Sequence, residues 1–140
     1  MPIYVTGTVI SADSLNNREA NRRFLAIGSL AAIAAADTIM DAFYLPAAMT
    51  IGAIDVICPF ATASGNVEID LLRATATGGS FTSLYTSNTK PSLTLAGGVS
   101  FATFTGSNLP NTINLAAGTV LACKILAAEA GAEDLIVIVR

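Results

Sequence analysis

The sequence predicts an all-β sandwich or barrel with an N-terminal arm, and three observations predict it. From Thr38 onward, short apolar runs recur at regular spacing, each closed by glycine, proline or a polar cluster. One of them, "VEIDLLRAT", alternates as a strand does: Val67, Ile69 and Leu71 share one face, Glu68 and Asp70 the other. Hydrophobic residues make up 53% of the 140-residue chain and charged residues only 12%, about half of the roughly 25% usual in soluble domains. That length suits one domain. Residues 1–36 read as an arm and residues 37–140 as the sandwich.

The arm opens with "IYVTGTVI", a single strand at about 3–10 with Ile3, Val5 and Val9 on one face. In "SADSLNNREANRRF", Asp13 or Ser14 can cap a short helical turn. Residues 24–36 stay open between helix and strand, because alanine favours helix whereas Gly28 and the lack of periodicity weaken it. "RRFLAIGSLAAIAAAD" imitates an export signal with its arginine pair, apolar middle and small-residue end. The strand-like segment ahead of it argues against a signal. The apolar run also falls short of the about 20 residues a membrane helix needs. The expectation is packing against its own domain or a neighbouring subunit.

The strand candidates then follow in order: "TIMDAFYL", "MTIGAIDVIC", "VEIDLLRAT", "FTSLYT", "SLTL", "VSFATFTG", "TINL", "TVLACKILA" and "DLIVIVR". The breakers between them include Pro46, Pro59, "ASGN", "TGGS", "NTKP", "AGG", "SNLPN", "AAG" and "AGAED". "VEIDLLRAT" reads as half-exposed. "MTIGAIDVIC" is apolar on both faces apart from Asp55, and "DLIVIVR" is likewise dry on both faces. A sandwich strand normally keeps one wet face, so these two predict that a neighbouring subunit or an intramolecular arm covers the outside.

The order of features from about Thr38 to Arg140 resembles the jelly-roll modules of tailed-bacteriophage virion proteins. The features are the apolar pair in "FYLPAAMTIGAIDVIC", then "VEIDLLRATATGGSFTSLYTS" with its Gly-Thr-Ser-like turn, then "KPSLTLAGG". Last come the paired strands of "LAAGTVLACKILAAEAGAEDLIVIVR", which begin at a Leu-x-x-Gly turn. Family members often carry Asp after that glycine; this chain has Thr119. The resemblance implies a jelly-roll sandwich of about eight strands and a trimer. It also implies a role as capsid cement or decoration, head fibre or tail receptor-binding tip. The dry strand faces point to association independently.

Composition excludes several functions. A net charge of −3 argues against a dedicated nucleic-acid binder, which needs a basic face to displace counterions. The absence of histidine removes Ser-His-Asp and Cys-His catalysis and imidazole metal sites. Glu68 and Asp70 are spaced as paired carboxylates can be, but a solvated strand face has the same spacing. Glu129, Glu133 and Asp134 surround Gly131 without an EF-hand pattern and read as a polar hairpin loop. Asp37 and Asp41 bracket a strand start and read the same way. "TGGS" and "AGG" read as turns, not phosphate loops. Tyr4, Tyr44 and Tyr85 are isolated and tryptophan is absent, so no stacking platform for sugars or single strands is visible. Cys58 and Cys123 read as buried thiols, and a disulfide between two strands stays open.

The expected protein is therefore a non-enzymatic virion structural protein at the capsid surface, most simply a trimeric cement or decoration protein. Its partners are its own copies and the major capsid protein, with no nucleic acid, membrane, metal or cofactor. The basic cluster and the start of the apolar run, Arg18, Arg22, Arg23, Phe24, Leu25 and Ile27, are the candidate capsid contact. The alternative is a tail or fibre module recognising a host glycan or protein through "TGGSFTSLYTSNTK". An enzyme built on Glu68 and Asp70 is a remote third.

Overall fold

A strand that must run past a small core has to bend around it, and the longest strand here does so. The computed structural model describes residues 3–5, 8–10, 22–25, 38–75, 79–127 and 132–140. Its strands are β1 (Ile3–Val5), β2 (Thr8–Ile10), β3 (Arg22–Leu25), β4 (Thr38–Tyr44), β5 (Met49–Thr50) and β6 (Ile54–Thr75). They continue with β7 (Thr82–Ser83), β8 (Ser92–Phe104), β9 (Asn114–Leu115), β10 (Thr119–Ala127), β11 (Ala132–Glu133) and β12 (Ile136–Val139). The protein is all-β: the described residues contain no α-helix, only a 3-10 turn at Gly106–Asn108.

Eight strands form one antiparallel sheet that curls around β6. Its backbone order is β3-β12-β6-β10-β4. The first part of β6 pairs with β12, from Ile54↔Val139 to Ile57↔Ile136. The last part pairs with β10, from Glu68↔Ala127 to Thr75↔Thr119. β8 lies along the other side of both parts, from Ile54↔Phe104 to Glu68↔Ser92.

The bend is visible in the register. Between Cys58↔Ser100 and Ala61↔Gly98, β6 advances three residues while β8 advances two; between Ala61↔Gly98 and Ser64↔Ala96 it does so again. Two extra residues on one strand make two bulges, which kink and twist it. Both strands change which residues they turn inward there. Ile54, Val56 and Cys58 are buried before the bend, and Val67, Ile69 and Leu71 after it. On β8, Leu93 and Leu95 are buried on one side of the bend and Ser100 on the other. Gly97 and Gly98 make this change with φ of 73° and 72°, a region that glycine enters at no steric cost.

The curl lets the two parts of β6 share one core. Ile54, Val56, Cys58, Val137 and Val139 from the first part pack in the same cluster as Ile69, Leu71, Leu121, Cys123 and Ile125 from the second. A small ladder of β5 and β9, with Met49↔Leu115, closes one end. The Leu-x-x-Gly turn, Leu115 to Gly118, sits there. The Thr119 amide donates to the Ala116 carbonyl at 3.3 Å and Gly118 takes φ 84°, the glycine position of a type II turn.

Several expectations change. "IYVTGTVI" is two strands rather than one, paired as Ile3↔Ile10, Tyr4↔Val9 and Val5↔Thr8. "MTIGAIDVIC" splits at Ile51–Ala53, whose amides bond elsewhere: Ile51 donates to Ile113, and Gly52 and Ala53 both donate to the Arg140 carbonyl. Pro59 and "ASGN" do not end a strand, because proline and glycine are tolerated at bulges. "AGG" is likewise crossed by β8, and "FTSLYT" shrinks to β7. "VEIDLLRAT" is not half-exposed. Its second face is dry at Asp70, Leu72 and Ala74. The boundary drawn at 36/37 cuts a ladder, since β3 belongs to the sheet through β12. The candidate cap residues Asp13 and Ser14 lie outside the described residues.

Candidate association surface

Directly paired residues of an antiparallel ladder point to the same face, so the registers define the outer surface of the first half-sheet. One row across it is Ile136, Ile57 and Phe101, contributed by β12, β6 and β8. The next row is Ile138, Asp55 and Thr103. The inward rows between them hold buried Val137 and Val56.

Exposure along the apolar row rises toward β8. Ile136 and Ile57 are half-buried, whereas Phe101 is 60% exposed and Val99, two residues along the same face, 73%. Phe60 lies beside Val99 at the bend and is 57% exposed. Scattered single apolar residues are ordinary on a surface. A contiguous row three strands wide is not, and such patches often mark interaction sites.

The polar row is held by a buried carboxylate. The Thr103 hydroxyl donates to Asp55 Oδ1 at 2.7 Å. Arg140 donates to Asp55 Oδ2 through Nε at 2.9 Å and to Oδ1 through an η nitrogen at 3.3 Å. The Arg140 guanidinium holds the Asp55 carboxyl below the usual carboxylate range; burial opposes this and the Thr103 bond supports it. Asp55 thus keeps its charge while offering no unpaired group to a partner.

The second half-sheet spends its charges internally. Asp70 is buried, accepts the Ser83 hydroxyl at 2.7 Å and pairs with Lys90 at 3.1 Å. The segment carrying Ser83 and Lys90 is thereby folded onto the sheet. Glu68 is half-buried on the same strand, two residues before Asp70. Tyr85 is buried and donates to the Asn108 carbonyl at 3.1 Å; burial pushes its phenol up. Asn111 closes the loop at 86–88, its Oδ1 accepting the amides of Thr86, Ser87 and Asn88 at 2.8 to 3.0 Å.

Neither cysteine is in a disulfide, and both are fully buried. The Cys58 thiol donates to the Phe60 carbonyl at 3.5 Å, and burial pushes the Cys123 thiol up. No group of three or more metal-ligating side chains occurs among the described residues; Glu129 and the side chain of Glu133 lie outside them. Among the described residues, no helix is long and apolar enough to cross a membrane.

Of the six candidate contact residues, Arg22, Arg23, Phe24 and Leu25 form β3, which among the described residues is the end strand of the main sheet. Arg18 and Ile27 lie outside the described residues. Sequence reading missed Phe60, Val99 and Phe101. The signal was in "VSFATF", where Val99 and Phe101 alternate with small Ser100 and Ala102. Without the bend, nothing assigns those larger residues to the outside. Comparison with protein-family models, curated proteins and solved structures returns no match.

Proposed function

We propose that this chain is a non-enzymatic structural protein of a tailed-bacteriophage virion, a jelly-roll-type cement or decoration protein that works as a homotrimer on the capsid. The observation that carries the reading is the uncharged row Ile136, Ile57 and Phe101 across three strands. A surface of this kind favours association, each Å² removed from water contributing about 25 cal/mol before ordering costs are met. The order of features shared with phage jelly-roll modules supplies the setting, and the major capsid protein is the partner. The residues ahead of β3 carry the lattice contact, since Arg18 adds a positive charge next to the β3 arginines.

The test is decoration of cognate expanded capsids by the full chain and by a form lacking residues 1–21, a cut that spares β3. The expected result is a folded oligomer that no longer binds. Full decoration by the truncated form rules out the arm as the lattice contact. A copy number in virions that tracks tail rather than capsid subunits overturns the cement role and favours the receptor-binding alternative. That alternative loses one aromatic from its loop, because Tyr85 is turned into the core.

A further inference from the structure

The exposed edge of β8 points to what covers it. Among the described residues, β8 pairs only with β6, so its other edge presents unpaired backbone groups. Natural sheets guard such edges with lysine, proline or inward-pointing charge. Ser92–Phe104, "SLTLAGGVSFATF", carries no charged residue and no proline. On the outer face, exposure increases from β12 to β8 and is greatest at Val99 and Phe101. The missing neighbour therefore belongs beyond β8, and it is a strand with an uncharged face.

We infer that this neighbour is β8 of a second copy, added antiparallel across a two-fold axis at Ser100. The inference stands apart from the virion reading and needs no capsid. In this register Val99 of one copy lies opposite Phe101 of the other, twice over. Pairs of aromatic and β-branched residues are favoured across antiparallel strands. Because the segment is neutral, self-pairing brings no like charges together. The apolar row of one copy continues into that of the other, from Ile136 through Phe101 and out to the second Ile136.

The bend limits the ladder. Gly97 and Gly98 turn β8 away with positive φ, so pairing is confined to the stretch from Gly98 to Ala102. An isologous contact of this kind closes on itself rather than growing a fibre.

The test uses the full chain with Val99→Cys and Phe101→Cys combined, oxidised and run on a denaturing gel; Cys58 and Cys123 are buried and do not compete. The expected result is a covalent dimer with no larger species, and much less crosslinking by either single variant. Hydrogen exchange on the unmodified chain should show those amides of residues 98–102 that point away from β6 protected at high concentration and at least tenfold faster on dilution below the dissociation constant. Phe101→Arg should remove that protection. A ladder reaching trimer overturns the two-fold axis. Protection that ignores dilution means that the chain covers its own edge, and fast exchange at all concentrations means that the edge stays bare; either overturns the inference.

Discussion

The two parts of β6, Ile54–Ala61 and Val67–Thr75, share a core yet treat their outer faces in opposite ways. Beyond the bend, the outer face is closed: Asp70, Leu72 and Ala74 are buried, with Ser83 and Lys90 brought down onto the carboxylate. Before the bend, the outer face holds half-buried Ile57 beside exposed Phe101. Its one buried charge, Asp55, is already paired with Arg140. The same strand therefore uses one outer face to complete its own domain and leaves the other apolar at the surface. What differs is whether a polar loop segment lies within reach.

The largest test of that contrast substitutes inward and outward residues of one strand. Leu71→Ala, at a fully buried position, is expected to cost about 2–5 kcal/mol of unfolding free energy. Ile57→Ser, at a half-buried position, should cost the isolated chain no more than about 1 kcal/mol while weakening association. Denaturant titration at two protein concentrations reads both. Equal losses at the two sites would erase the distinction between the faces.

A smaller effect separates the two buried carboxylates. Asp55 has its pKa lowered in the folded chain, so its contribution is present above the unfolded value of about 4. It is lost as pH falls through the lower folded value. Melting temperature should therefore drop on acidification below about pH 4, and Asp55→Asn should flatten part of that slope. Asp70→Ala should cost about 1 kcal/mol by removing the bond from Ser83 and the Lys90 pair, while the Ser83 hydroxyl keeps the Tyr85 carbonyl. A slope unchanged by Asp55→Asn would break the assignment to Arg140.

The smallest expected effect sharpens the bend itself. Gly98 has φ 72° with open space where a Cβ would sit, so Gly98→Ala meets no clash and pays only backbone strain, about 1 kcal/mol. Thermal unfolding measures it. Gly52 is the control, since its added Cβ would meet the Arg140 carbonyl at an ordinary 3.6 Å.

Much of this was legible in the residues. The all-β class, the dryness of "DLIVIVR" and the Leu-x-x-Gly turn all rest on local properties: alternation, side-chain polarity and the φ that glycine permits. The rest depends on pairing between distant segments. "ASGN" and "AGG" look like breaks because their local signals are those of turns, yet here they lie opposite one another and become bulges in a continuous ladder. Asp70 looked like a wet residue because its cover, Ser83 and Lys90, arrives from another strand and loop. The candidate contact residues Arg22 to Leu25 looked like an arm because their partner, β12, is at the far end of the chain.

By itself, then, the sequence determined that this chain is made of strands and has too few charges to clothe them. Those facts follow from composition and from a period of two along each segment. Only the tertiary structure decided which faces are dry because the domain covers them and which are left apolar at the surface. The reason is physical: the way a strand faces beyond an irregularity is set by its pairing with its neighbours, and that pairing exists only once distant segments meet.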